Sequence, residues 1–159
     1  MVYGAINNKG ERFYTYMSRV FEAIDNKQKN YNWLITDYEC YPKNQKIRDL
    51  LWKDEYCFIS GEELTEIVSV EDFQWIWGVF SGFEKSVALD EILKFSLPYS
   101  DLYTGFWKNP LTMQHPLSCV EIVPWDGSLT LFLSSDKSLV DGFRNFFRYS
   151  MDLEEYNRS

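Results

Sequence analysis

The sequence predicts a single α+β domain over residues 1–159, with an antiparallel or mixed sheet and helices packed over it. Two observations carry this. Helical stripes and short aromatic or β-branched strands follow one another along the chain, and two strand-like runs near the C-terminus are joined by an Asp-Gly turn. No repeat, low-complexity block or Gly/Ser linker divides the chain, whose length suits one core.

In chain order, Phe13, Met17, Val20, Phe21 and Ile24 fall on one stripe and predict a helix over 11–26. Tyr31 to Tyr41 is aromatic and β-branched and is closed by Pro42, which predicts a strand with Asp37 and Glu39 on one face. A short helix over Gln45 to Trp52 and a brief strand over Tyr56 to Ile59 follow. Ser60 with Glu63 three positions on forms a capping-box pattern ahead of Leu64, Ile67 and Val68. Phe73 to Phe83 predicts a largely buried strand, with Trp75 and Trp77 projecting from the same side. Ser86 then caps a helix carrying Leu89, Ile92 and Leu93, with Pro98 at or after its end. Tyr99 to Pro116 has no period and reads as irregular. Asp126 and Gly127 between CVEIVPW and SLTLFLS predict a hairpin. Ser134, Ser135 or Asp136 caps a last helix with Leu139, Val140, Phe143, Phe146 and Phe147 on one stripe, and a polar tail begins near Asp152.

Composition narrows the function classes. The chain carries a net charge of -8, which repels a phosphate backbone and disfavours a nucleic-acid partner. The acids concentrate in the middle of the chain, and Glu62, Glu63 and Glu66 share one helix there. No run approaches the ~20 apolar residues of a membrane span, and the start, MVYGAINNKGER, has no secretory apolar stretch. A cytoplasmic protein without a membrane partner is the expectation. Cys40, Cys57 and Cys119 are an odd set in apolar stretches, which suits reduced core thiols.

No motif diagnostic of catalysis appears. His115 is the only histidine and lies in an irregular stretch, and no CxxC or HxxxH spacing brings metal ligands together. Neither a P-loop nor a GxGxxG turn is present, so no metal, cofactor or catalytic residue is expected. Asp37 and Glu39 form the tidiest carboxylate pair, but strand faces meeting solvent carry such charges routinely. Six Trp, eleven Tyr and twelve Phe exceed what a core needs. Trp52, Trp107 and Trp125 stand at element ends or loops, where a ring can anchor a partner or stack on a sugar. Glu62, Glu63, Glu66 and Asp72, with Trp107 and Trp125, are therefore the candidate partner-binding residues. A solvated acidic face kept for solubility accounts for the same acids.

In its size, its acidic stretch SGEELTEIVSVED, its aromatic strand WLITDYECY and its capped helix SSDKSLVDGFRNFF, the chain resembles the small acidic immunity proteins of bacterial polymorphic and contact-dependent toxin systems. The resemblance implies a stoichiometric, non-enzymatic cytosolic inhibitor that covers or distorts a cognate toxin's active site, and the missing ligand spacings and odd cysteine count suit a monomer or weak dimer. A nuclease toxin would present a basic surface that steers an acidic inhibitor onto it. The competing reading is a small-molecule or carbohydrate-binding module with an aromatic-lined pocket.

Overall fold

The computed structural model describes residues 1–159 as one continuous sheet with helices and an irregular cover on its two faces. Its strands are β1 (Tyr3–Asn7), β2 (Tyr31–Cys40), β3 (Tyr56–Ser60), β4 (Trp75–Glu84), β5 (Val120–Trp125), β6 (Leu129–Ser134) and β7 (Met151–Asp152). They are ordered β3-β2-β4-β5-β6-β1-β7, and every neighbouring pair is antiparallel. The helices are α1 (Met17–Ala23), α2 (Gln45–Leu51), α3 (Gly61–Val70), α4 (Leu89–Ile92), α5 (Lys137–Phe146) and α6 (Leu153–Arg158). No helix is long and apolar enough to cross a membrane.

Strand alternation sends apolar side chains to both faces. On the first face Trp33, Ile35, Phe80, Ile122 and Phe132 meet α1, α2, α3 and α5 in the largest core cluster. The expected capping box holds α3: the Ser60 hydroxyl accepts the Glu63 N–H at 3.1 Å while the Glu63 carboxylate accepts the Ser60 N–H. Asp136 caps α5, whose Phe143 stacks on Phe132 at 5.0 Å. On the second face Val79, Val123, Leu131 and Leu133 bury against Phe106, Leu111 and Leu153, while Leu34 and Phe83 bury against Ile92. That face is roofed by the irregular stretch following α4 and by α6.

Two compensating bulges shape one end of the sheet. Between the pairs Thr36↔Val79 and Glu39↔Trp77, β2 carries one residue more than β4; between Glu39 and Cys40 the extra residue, Ile76, is on β4. Asp37, within the first bulge, adopts a left-handed conformation (φ 48°). The Asp126–Gly127 hairpin forms as expected, with both residues at positive φ and Ser128 N–H donating to Trp125 O.

Several expectations are corrected. The first helix spans Met17–Ala23, not 11–26: Phe13 is exposed, and Tyr16 forms an isolated bridge to Gln74 ahead of it. Ala88, not Ser86, precedes α4, which is one turn long. Trp75 and Trp77 do not share a side. The Ile76 bulge breaks the alternation, sending Trp75 into the large core and Trp77 against Trp125 on the second face. Asp37 is likewise turned out of register with Glu39. The polar tail is ordered instead as β7 and α6, because Leu153 is fully buried and Asp152 caps the helix through the Glu155 N–H. β1, unread in the sequence, pairs with β6 and β7.

Candidate functional site

The roof over the second face is fastened to the sheet by polar side chains. Asp37 Oδ2 accepts the Ser100 N–H at 2.8 Å and its hydroxyl at 3.1 Å. Glu121 Oε2, fully buried on β5, accepts the Gln114 N–H at 3.0 Å, and the Gln114 amide exchanges two hydrogen bonds with the Tyr99 backbone. The other Glu121 oxygen has no partner, nor does the buried hydroxyl of Ser81, the residue directly opposite on β4. Burial pushes the Glu121 carboxyl up to about 7, against the smaller opposing effect of the Gln114 hydrogen bond. His115, in the stretch that reads as irregular, is buried: its Nδ1 accepts the Leu117 N–H, so Nε2 carries the proton and donates to Ile92 O at 2.9 Å. It pins α4 beneath the roof, edge-on to Phe83.

At the far end of the roof lies an open groove of about 350 Å³, lined by Trp107, Trp125, Leu129, Tyr156, Asn157 and Ser159. A turn of 3-10 helix over Gly105–Trp107 presents Trp107, the hairpin end of β5 presents Trp125, and α6 presents Tyr156. The two indoles meet edge to face, 5.2 Å between centroids at 88°, and Tyr156 is tilted 6.1 Å from Trp107. Asn157 holds the wall together, donating to Phe106 O at 3.1 Å and to Asn109 Oδ1 at 3.2 Å.

The groove does not stand alone. Trp125 touches Trp77 at 4.8 Å, and Trp77 lines an adjoining notch of about 200 Å³ with Asp37, Tyr38, Glu39, Ser100 and Asp101. Asp37 and Tyr38 also line a further hollow with Leu51, Trp52, Asp54 and Glu55. No lysine or arginine lines any of the three. Together they form a band across one end of the sheet, aromatic at one end and acidic at the other.

The structure brings Trp107 and Trp125 together and separates them from the acids expected beside them. Glu62, Glu63 and Glu66 lie on α3, whose Leu64 and Val68 pack on the first face, so the sheet stands between them and the two indoles. Glu62 is ion-paired with Lys85, which holds its carboxyl below the usual range, and Glu63 is occupied by the capping box. Asp72 accepts the Ser18 hydroxyl and lines a different hollow with Glu11, Arg12 and Arg19, where Arg19 is paired with Glu11. Trp52 is half exposed at the acidic end of the band.

Burial pushes the Cys40 and Cys57 thiols up to about 12, leaving negligible thiolate at neutral pH, and raises that of Cys119. Asp37 Oδ2 is hydrogen-bonded to Ser100, and Glu39 accepts the Tyr41 hydroxyl at 2.8 Å. Sequence reasoning missed Trp77, Tyr156 and Glu121. A lone acid inside CVEIVPW could have flagged Glu121, and the Leu153–Tyr156 spacing could have flagged α6.

No curated protein and no solved structure matches the chain. A family model, described as a protein of unknown function (DUF2691), matches residues 5–97, from β1 to just beyond α4. That match takes in Asp37, Tyr38, Glu39 and Trp77 and ends before the roof that carries Trp107. Covering more than half of the chain, it shows that the protein belongs to this family.

Proposed function

We propose that the protein is a non-enzymatic inhibitor that binds a protein partner, in the manner of the immunity proteins it resembles, and that the band described above is its working surface. The observation that carries this reading is the convergence of Trp107, Trp125 and Tyr156, distant in sequence, on one open groove. The three rings are half-buried, and Trp and Tyr with one face open in a concave surface are the residues that dominate protein interfaces. The overall charge of -8 and the acids at one end of the band suit a basic partner, such as a nuclease toxin. On this reading the protein acts in the cytoplasm as a monomer or weak dimer, without a cofactor.

The test is binding to the product of an adjacent toxin-like gene, followed by surface plasmon resonance. Trp125→Ala is expected to speed dissociation and cost about 2 kcal/mol or more. Charge reversal of Glu62, Glu63 and Glu66 together is expected to change association little. Full affinity in Trp125→Ala would remove the aromatic groove from the interface.

One observation favours a second reading, a small uncharged molecule or a sugar. The groove has no charged side chain, and its polar lining is Asn157 and Ser159. Titration with soluble oligosaccharides, read by Trp fluorescence, separates the two.

A further inference from the structure

We propose that the partner engages the band through one extended segment, seating an apolar or aromatic side chain in the groove of Trp107, Trp125, Leu129 and Tyr156 and a neighbouring lysine or arginine in the notch of Asp37, Glu39 and Asp101. This assignment rests on the protein-binding reading and names the chemistry of what binds.

Three observations carry it. The groove is lined by rings, one leucine and two uncharged polar residues, so an apolar group gains there by leaving water while a charged group finds no counter-charge. The notch gathers three carboxylates, those of Asp37, Glu39 and Asp101, and none of them has a cationic partner. Trp77 borders the notch and supplies a ring on which a cation can rest. Finally, the two recesses adjoin through the Trp77–Trp125 contact at 4.8 Å. An extended chain advancing about 3.3 Å per residue reaches from one to the other within roughly one to three residues. The acidic notch thus sets the partner's charge, and the groove beside it sets what must accompany that charge.

The experiment titrates the full-length protein with three acetylated, amidated hexapeptides. The first carries a Trp-Leu pair next to Lys and Arg, the second replaces the basic residues with Ser, and the third replaces Trp-Leu with Ser. Binding is read from the indole N–H signals of Trp77, Trp107 and Trp125. The first peptide is expected to bind about tenfold more tightly than either control and to move all three signals. The double variant Glu39→Gln, Asp101→Asn, altered only at exposed side chains, is expected to lose about that factor and most of the salt dependence. Glu66→Gln, across the sheet, is expected to bind as the parent does. Equal binding of the first two peptides, unchanged affinity in the double variant, tighter binding of a neutral oligosaccharide, or no peptide binding at all would overturn the assignment. A toxin complex still weakened by Trp125→Ala would then leave the protein-binding reading standing. Peptide binding with no toxin complex would leave the assignment standing and remove the toxin.

Discussion

Glu121 shows how one residue can set the pH response of the fold. Its carboxyl titrates near 4.5 when exposed and at about 7 when folded. Below 4.5 both states hold the proton and burial costs nothing through ionisation. As pH rises from 4.5 to 7 the unfolded chain ionises first, so stability falls, by about 3 kcal/mol over the whole window. Glu121→Gln has no proton to lose and keeps the Gln114 N–H satisfied through its amide oxygen. Urea unfolding of both proteins is therefore expected to give curves that converge near pH 4.5 and separate progressively to pH 7.5, the variant being the more stable. Parallel stability across that range would show that Glu121 is not buried as a carboxylic acid. In the sequence the residue is a single acid between Val120 and Ile122, and the strand pattern alone places it opposite their core face. What makes that position dry is the roof, which lacks any period to read.

At the scale of elements, local rules were legible where one signal acts alone. The Ser60–Glu63 capping box, the Asp-Gly hairpin and the stripe of α5 follow from short-range chemistry and fold as read. Elements that depend on distant partners were not legible. β1 is five residues containing Gly4, and it becomes a strand because β6 and β7 flank it. Trp75 and Trp77 part company because of a bulge that no strand period announces. The hairpin turn is part of the same device: Gly127 N–H donates to the carbonyl of the inserted Ile76 at 2.8 Å, and Gln74 donates to Gly127 O. This clasp brings Trp125 beside Trp77. Gly127 holds φ 64°, and a Cβ there would sit 3.0 Å from the Gln74 amide. Gly127→Val is expected to cost about 1 to 3 kcal/mol, visible as a lowered Tm. An unchanged Tm would mean that the turn does not hold this end of the sheet.

For the molecule as a whole, the sheet separates two charge environments that the sequence presents as one acidic middle. On α3, Glu63 caps its own helix and Glu62 pairs with Lys85, while Asp37, Glu39 and Asp101 meet across the bulge beside Trp77. Two of the expected site residues, Trp107 and Trp125, share a groove; Glu62, Glu63, Glu66 and Asp72 lie elsewhere. Proximity in sequence grouped the acids by helix, and the antiparallel topology regrouped the functional surface by sheet face. Hydrogen–deuterium exchange of the complex with the adjacent toxin-like gene product tests this surface most directly. Protection is predicted over residues 99–109, 124–129 and 153–159 and around Asp37, with α3 unchanged. Protection confined to α3, with the aromatic groove exchanging as in the free protein, would contradict it.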